Sequence, residues 1–413
     1  MNTKIINLPD EISLALKTLN QKGFKAYLVG GAVRDFLMGS AVSDFDITTD
    51  ATPDEIHSLF QKCIDTGLSH GTVTVIINHV HIEITTFRQD GNYIDHRRPE
   101  SISYSKNLCD DLSRRDFTIN ALAYNPSEGI IDMYGGIDDI KNRILRCVGC
   151  ARTRFEEDAL RMLRLIRFCA KLGFDTEKDT LLALINKQHL IEYVSKERIR
   201  EEIIKTLLAD YPEKMLTFSD SKILDYVFGN DFFEIIKESD LIDMKSLPKL
   251  HTLRIAYILN KLYKQSTDSV KAAINNLKFS NNEKKEILDI VSIIRKYMSQ
   301  PNKFTDKYTL KKAMAKYSIE HISMSFYILS LYYDISHVQK IFGDIINTQE
   351  PYLISHLNIN GKDLLNMGFK GIDTGDCLKY LIDKVTKNPS LNTKEILTKE
   401  AEKYYAEKCI CKD

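Results

Sequence analysis

The pattern of apolar and polar positions divides the chain into two parts with different character. In the first 145 residues, short apolar runs typical of strands alternate with segments whose apolar residues recur at helical spacing. The predicted elements are helices over Glu11–Gln21, Ala32–Met38 and Pro53–Gln61, and strands over Lys25–Val29, Asp44–Thr49, Thr72–Ile77 and Val80–Phe87. A mixed sheet with helices is therefore expected in this part.

Beyond about Arg146, Gly and Pro become rare and the apolar positions recur at helical spacing. The clearest predicted helices are Phe155–Leu172, Thr176–Gln188 and Lys196–Ala209. We therefore predict an α+β chain, in which a head over residues 1–145 with a mixed sheet and helices precedes an all-helical remainder. We divide that remainder into a neck (146–210), a body (211–300) and a tail (301–413).

Composition and charge argue against several classes of protein. The 413 residues include 57 basic and 57 acidic side chains, so the chain is not expected to coat nucleic acid indiscriminately. No run of about 18 uncharged apolar residues predicts a membrane span, and the first residues lack the basic-then-apolar order of a secretory signal. Eight cysteines are too few for a disulfide scaffold. A cytoplasmic protein with no membrane partner is the expectation.

Local charge is distributed unevenly. Of 17 arginines, 15 lie in residues 1–200, where the planar guanidinium suits shaped recognition of phosphate or base edges. The stretch Lys271–Glu320 carries 11 basic and 5 acidic residues. Within it, a basic helical stripe is predicted after a Thr305 cap, either as a solvated face or as a surface for a nucleic-acid backbone. Its members are Lys307, Lys311, Lys312 and Lys316.

The segment Leu28–Asp50 carries the first candidate chemistry. A strand runs into Gly30 and Gly31 and then into a helix, so the backbone can approach a ligand and the free N–H groups can bind phosphate. Arg34, one turn into the helix, can add a bidentate contact. Taken alone, such a glycine pair often only makes a tight turn.

Asp44 and Asp46 follow shortly after the glycine pair. On a strand, residues two apart point to the same face, so the two carboxylates are expected to converge. Like charges in that arrangement are costly unless a cation lies between them. Hard oxygen ligands with room for a substrate phosphate suit Mg²⁺, and the pattern is typical of a two-metal nucleotidyl-transfer site.

The whole segment GGAVRDFLMGSAVSDFDITT (Gly30–Thr49) resembles the signature of the DNA polymerase β nucleotidyltransferase superfamily. More narrowly, it resembles the class II branch that contains tRNA CCA-adding enzymes and bacterial poly(A) polymerases. Four further segments match motifs of this branch in order: the flexible loop RQDGNYIDHRRP (Arg88–Pro99), the ribose and phosphate motif RRDFTINALAYN (Arg114–Asn125), the hinge DMYGGIDDI (Asp132–Ile140) and the neck helix EEDALRMLRLIRF (Glu156–Phe168). The resemblance covers about residues 25–210, and beyond it only LKFSNNE (Leu277–Glu283) matches, weakly.

The resemblance implies a nucleotidyltransferase head that adds C, C and A to the 3′ end of tRNA from CTP and ATP, without a template and with release of pyrophosphate. It implies that Asp44 and Asp46 are catalytic and hold two Mg²⁺ ions. The residues implied for nucleotide binding are Gly30, Gly31, Arg34, Arg115, Asp158, Arg161, Arg164 and Arg167. The helical part would bind the acceptor and elbow of the tRNA, and the oligomeric state is left open.

Two further residues are candidates for the site. Arg114, adjacent to Arg115, is a second candidate for contact with the phosphates. The resemblance makes Glu83 a candidate third acidic residue. A plain hairpin residue on the same strand face as His81 explains Glu83 equally well.

Asp158 and Arg161 lie three apart on a predicted helix and hence on one face. A carboxylate acceptor beside a guanidinium donor complements the pairing edges of cytosine and adenine, whereas guanine and uracil would leave buried groups unpaired. Arg164 and Arg167 continue the same face and add positive charge that suits a triphosphate. Without the head motifs, a solvated ion pair would be the simpler explanation.

Three alternatives stay open. A bacterial poly(A) polymerase shares the head, but the segments DGNYIDHRRP and EEDALR look like those of CCA-adding enzymes and the chain lacks a strongly basic tail. An enzyme that adds only A shares nearly every motif, whereas the intact loop argues against one that adds only CC. A non-catalytic relative that binds nucleotide or RNA is disfavoured because both aspartates, the glycines and the arginines are present.

Overall fold

The computed structural model describes residues 6–42, 44–68, 71–91, 93, 100–229, 231–264, 266–301 and 304–410. Most of the predicted flexible loop Arg88–Pro99 therefore lies outside the described residues. The described strands are β1 (Ala26–Val29), β2 (Asp46–Thr49), β3 (Cys63–Gly67), β4 (Thr72–Ile77), β5 (Val80–Thr86), β6 (Arg88–Asp90), β7 (Ile102–Tyr104), β8 (Leu122–Asn125), β9 (Gly129–Asp132), β10 (Ile144–Leu145) and β11 (Asp175–Thr176).

Twelve α-helices are described over residues 10–246. They are α1 (Asp10–Gln21), α2 (Gly31–Leu37), α3 (Pro53–Leu59), α4 (Leu108–Ser113), α5 (Gly136–Asn142), α6 (Ala151–Glu157), α7 (Leu160–Leu172), α8 (Lys178–Lys187), α9 (Lys196–Leu207), α10 (Ile223–Phe228), α11 (Phe232–Ile235) and α12 (Glu238–Ser246).

The later helices continue to the end of the described chain. They are α13 (His251–Leu262), α14 (Thr267–Asn276), α15 (Asn281–Ser299), α16 (Lys307–Lys316), α17 (Ile319–Leu329), α18 (Ser336–Asn347), α19 (Gly361–Asn366), α20 (Ile372–Lys387) and α21 (Lys394–Ile410). The predicted fold class is confirmed, because an N-terminal mixed sheet with helices precedes a helical remainder. No described helix is long and apolar enough to cross a membrane.

The main sheet of the described residues has the order β3-β4-β5-β2-β1-β8-β9. Neighbouring strands are antiparallel except β2 and β5, which are parallel. The predicted hairpin between β4 and β5 is confirmed, with Asn78 and His79 at positive φ in its two-residue turn.

The inner strand β1 is buried on both faces, as expected when each face is covered. Ala26 and Leu28 pack into a core that includes residues of α1, α2 and α3. Tyr27 and Val29 point to the opposite face and pack with a second, smaller core around α4. The end of β1 is therefore held rigidly from both sides.

Two expectations about element boundaries are wrong. The strand β2 begins at Asp46, so Asp44 precedes it and the alternation of side chains along a strand does not place Asp44. The predicted helix Phe155–Leu172 is two helices, because Asp158 between α6 and α7 is extended, with φ −135° and ψ 101°. Asp158 and Arg161 therefore do not share one helical face.

The chain divides into two compact units. One comprises Met1–Lys245 and Ala273–Phe279, and the other comprises Ser246–Ala272 and Ser280–Asp413. The finer division at residues 145, 210 and 300 stays a prediction. In the second unit, Leu364, Phe369, Leu381 and other apolar residues of the C-terminal helices form a core of their own.

Candidate active site

The register of the main sheet places the glycine turn beside the first acidic residue. Val29, at the end of β1, pairs with Asp46 at the start of β2. Gly30 follows with a φ of +72°, a conformation that glycine adopts at little cost. A Cβ at Gly30 would lie 3.1 Å from Nη1 of Arg115, so the glycine also admits this guanidinium to the turn.

Three acidic side chains, Asp44, Asp46 and Glu83, lie near one another at the start of β2, and we call this group the acidic edge. Asp46 on β2 pairs with Glu83 on the parallel strand β5, which puts both side chains on one face of the sheet. Burial, Glu83 and Asp44 raise the pKa of Asp46, and the Arg115 guanidinium opposes them. Within the described part of the chain, no three His, Cys, Asp or Glu side chains form a ready-made metal site.

A cavity of about 450 Å³ in the first unit brings the predicted residues together. All ten predicted site residues line it: Gly30, Gly31, Arg34, Asp44, Asp46, Arg115, Asp158, Arg161, Arg164 and Arg167. Further lining residues include Asp35, Arg114, Asp116, Asn120, Phe168, Lys171 and Arg198. Basic side chains outnumber acidic ones in this lining, which suits a polyphosphate.

Arg34 is buried and linked to other residues of the wall. Its Nη1 donates to Oδ1 of Asn120 at 2.5 Å, and its Nε donates to Oδ1 of Asp35 at 2.7 Å. Asn120 in turn donates to Oδ1 of Asp116 at 3.0 Å, and Arg164 donates to Oδ2 of Asp116 at 2.5 Å. Asp116 thus contacts Arg164 directly and Arg34 through Asn120, so two predicted phosphate-binding arginines are linked to one carboxylate.

The charge of Asp116 is maintained by these partners. Burial alone would raise the pKa of Asp116, but the Arg164 guanidinium and the hydrogen bonds from Asn120 and the Phe117 amide lower it well below its usual range. Asp111 follows the same logic: burial raises its pKa, and Arg115 and Arg114 together outweigh that effect. Both carboxylates are therefore ionised anchors for the arginines.

Phe168 forms a platform for three guanidinium groups. The Cζ atoms of Arg167, Arg34 and Arg164 lie 4.3, 5.3 and 5.6 Å from the centre of its ring. Phe168 also forms an edge-to-face pair with Phe117, at a centroid distance of 5.7 Å. The negative face of the ring helps to hold cations that would otherwise repel one another.

Asp158 is held by a residue that the sequence analysis did not name. Arg198 on α9 donates from Nη1 to Oδ1 at 3.2 Å and from Nη2 to Oδ2 at 2.9 Å. The amide of Leu160 donates to Oδ1 at 3.2 Å, which caps the first turn of α7. A bidentate pair of this kind fixes the orientation of a carboxylate.

Arg161 is buried and fixed by residues from several segments. Its Nη1 donates to the Arg154 carbonyl oxygen at 3.1 Å and to Oε2 of Glu157 at 2.7 Å, while Nη2 donates to the Arg114 carbonyl oxygen at 2.8 Å. These contacts use three of the five N–H donors of the guanidinium. Among the described contacts, two donors remain on this side chain, which lines the cavity.

Of the lining residues that the sequence analysis missed, some lie inside its motifs and others lie outside them. Asp116, Asn120 and Phe168 lie inside the quoted motifs, and only their contacts reveal what they hold. Arg198 lies 40 residues from Asp158, so no spacing along the chain could have paired them. Lys171 continues α7 beyond the neck motif.

The basic stripe of α16, in the second unit, differs from its prediction. The helix is capped by Asp306 rather than Thr305. Lys311 is buried and pairs with Glu350 at 2.6 Å, and Lys312 pairs with Asp383 at 2.5 Å. The four lysines therefore do not form one solvated face, because a buried member of the stripe serves the packing of this unit.

Comparisons with known family models match two segments of the chain. The family described as "Poly A polymerase head domain" matches residues 26–146, and that described as "Probable RNA and SrmB- binding site of polymerase A" matches residues 173–230. The CCA-adding enzyme of Ligilactobacillus salivarius is 34% identical over 97% of this chain and 99% of its own length. That of Staphylococcus epidermidis is 36% identical over 92% of this chain and 94% of its own.

Solved structures agree with this assignment. The structure of the Bacillus stearothermophilus CCA-adding enzyme in complex with CTP is 28% identical, with a TM-score of 0.78 over 97% of this chain and 98% of that one. The Thermotoga maritima CCA-adding enzyme complexed with tRNA shares the fold, with a TM-score of 0.65 at 20% identity over 97% of both chains. Because similarity above 30% identity extends over nearly the whole length of curated relatives, the chain belongs to the family of CCA-adding enzymes.

Proposed function

We propose that this chain adds C, C and A to the 3′ end of tRNA, using CTP and ATP and releasing pyrophosphate, without a nucleic-acid template. The observation that carries the proposal is the single cavity in which an acidic edge, a group of arginines and the pair Asp158 and Arg161 meet. The names of the full-length relatives support the same activity. The cytoplasm is where we expect it to act.

Base selection follows from the hydrogen-bonding capacity of Asp158 and Arg161. Cytosine and adenine each present an amino donor beside a ring-nitrogen acceptor, which matches one carboxylate acceptor and one guanidinium donor. Uracil and guanine present a carbonyl oxygen where the amino group would be, and it would face the carboxylate. In a buried site, such an unmatched pair costs about 1–3 kcal/mol or more.

The arginines of the cavity position the triphosphate. Arg115 lies beside Gly30, where its Nη1 is the atom that a Cβ on that glycine would meet, and it opposes the rise in the pKa of Asp46. Arg164 and Arg167 lie farther along α7, over Phe168. Their pairing with buried carboxylates fixes the guanidinium groups before the nucleotide binds, so little ordering is needed at the reaction itself.

The acidic edge fits a divalent cation. Nucleotidyltransferases are generally dependent on a divalent metal, and carboxylate oxygens are the ligands that Mg²⁺ prefers. Asp44 and Asp46 would hold two Mg²⁺ ions, and Glu83 lies in register beside Asp46. Burial, Glu83 and Asp44 raise the pKa of Asp46, so a bound cation would favour its ionised form. When bound, the metal supplies charge stabilisation for the attacking 3′ hydroxyl and the triphosphate.

The helical part of the chain is our candidate for binding the acceptor and elbow of the tRNA, with the tail over residues 301–413. Because Lys311 is buried, the exposed Lys307, Lys312 and Lys316 are the members of the stripe that could contact phosphates. Among the alternatives, addition of A alone and poly(A) synthesis are not favoured, since the similar full-length proteins are named CCA-adding enzymes.

The first test removes the charge at the acidic edge. Asp46→Asn should lower incorporation of labelled CTP and ATP into tRNA by at least about 10³-fold, because charge stabilisation of the transition state is lost. Asp54→Asn, a matched change at an exposed position on α3, should retain wild-type rates. Chelation of divalent metal should stop the wild type. Near-wild-type incorporation by Asp46→Asn would contradict the proposed site.

A further inference from the structure

Asp158 stands at a break in the neck, where among the described contacts α7 holds its side chain only through the Leu160 amide. Its backbone is extended between α6 and α7. A residue in that position has more rotational freedom than one inside a helix, so something else must hold the carboxylate toward the cavity. We propose that Arg198 is the positioning residue that fixes Asp158 and thereby sets which bases the cavity accepts; this inference rests on the proposed function.

The hydrogen bonds to Asp158 leave a defined acceptor capacity. A carboxylate offers about four lone-pair sites. Oδ1 accepts from the Leu160 amide and from Nη1 of Arg198, and Oδ2 accepts from Nη2 of Arg198. Among the described contacts, one site on Oδ2 is then left. One acceptor is what the single amino group of cytosine or adenine requires.

Arg198 is itself anchored by the helix that carries it. Ile199 and Ile203 of α9 are buried, and α9 packs against α7. Glu202 lies one turn beyond Arg198 and contacts Nε of Arg167 at 2.6 Å. One face of α9 therefore contacts two residues of the cavity wall, since Arg198 pairs with Asp158 and Glu202 pairs with Arg167.

The arrangement acts on selectivity through orientation. With Arg198 in place, the carboxylate can only accept from the incoming base, and a carbonyl oxygen in the same place is repelled. Without the guanidinium, the carboxylate can rotate at the helix break, and a water molecule can then bridge it to a uracil or guanine carbonyl. Loss of Arg198 should therefore weaken the rejection of wrong bases, beyond any general loss of rate.

The test compares Arg198→Gln with Arg200→Gln on the same helix. Arg200 donates to the Lys278 carbonyl oxygen and lies over Phe279, and it is not among the described lining residues. Single-nucleotide kcat/KM would be measured for CTP, ATP, UTP and GTP on tRNA acceptors ending at the discriminator base or in CC. For Arg198→Gln we expect the preference for C over U and for A over G to fall at least about tenfold. Arg200→Gln should keep wild-type preferences.

A second variant separates positioning from folding. Arg198→Lys keeps the charge but loses the bidentate geometry, so it should recover only part of the lost discrimination. Thermal unfolding of each variant identifies a merely structural effect. Equal falls in kcat/KM for all four nucleotides, or unchanged preferences in both variants, would overturn the inference. A wild type that does not add C and A to tRNA would instead overturn the proposed function.

Discussion

At the residue scale, the carboxylates of the site are of two kinds. Some pair with arginines and have lowered pKa values, whereas Asp46 has a raised pKa. Adjacent arginines keep Asp116 and Asp111 ionised, because they and the hydrogen bonds to these carboxylates lower the pKa values by more than burial raises them. Asp46 is the opposite case, because burial and the neighbouring Glu83 and Asp44 raise its pKa. This difference separates carboxylates that already pair with arginines from Asp46, whose ionised form is disfavoured chiefly by burial.

The raised pKa of Asp46 predicts how stability depends on pH without metal. The fold favours the protonated form, so the stabilisation is present below the unfolded pKa of about 3.9 and lost as pH rises through the higher folded value. Asp46→Asn cannot ionise and should unfold at a higher temperature than wild type at pH 7. The gain should shrink toward pH 4.

Thermal unfolding in a chelator across this pH range measures the effect. Added Mg²⁺ should reverse the order at pH 7, because only the wild type gains from binding. A variant less stable than wild type at pH 7 in the chelator would contradict the charge balance described for the edge.

Ten residues named from the sequence line the cavity, but the sequence does not indicate which residues they pair with. Asp158 and Arg161 were expected to share a helical face, and both line the cavity. The geometry is different, since Arg161 is fixed by Glu157 and Asp158 by Arg198 from another helix. Spacing along the chain reports local geometry only, and these contacts depend on tertiary packing.

At the element scale, short segments between the strands carry the site. The turn Thr118–Asn120 presents Asn120 to Arg34, and α5 packs against it. A Cβ at Gly136, the first residue of α5, would lie 2.3 Å from the Thr118 carbonyl oxygen. The glycine is thus required for close approach of the two segments, which the sequence motif alone did not indicate.

This contact predicts different costs for the two adjacent glycines. Gly136→Ala should destabilise the protein by about 3 kcal/mol, because the backbone at Thr118 must move. Gly135→Ala meets nothing within 4 Å, and its φ of +78° should cost only about 1 kcal/mol. Chemical denaturation of both variants measures the difference. Equal stability of the two variants would contradict the close packing of α5 on the turn.

At the scale of the whole molecule, the site belongs entirely to the first of the two units. The fold class could be predicted, since periodicity changes from strand-like to helical near Arg146. The role of the basic stripe could not, because composition does not reveal that Lys311 is buried against Glu350. Because the charge pattern does not show how the helical remainder binds tRNA, its contribution is tested through the nucleotides that the chain adds to tRNA.

The most direct test of the central claim uses tRNA transcripts that end at the discriminator base or already carry CC. Each is incubated with the full chain, Mg²⁺ and the labelled nucleotides, and products are resolved to single nucleotides. Full CCA addition gives two C and one A on the first transcript, one A on the second, and then a stop. Addition of A to the CC-ended transcript alone, or a ladder of A residues, would contradict it.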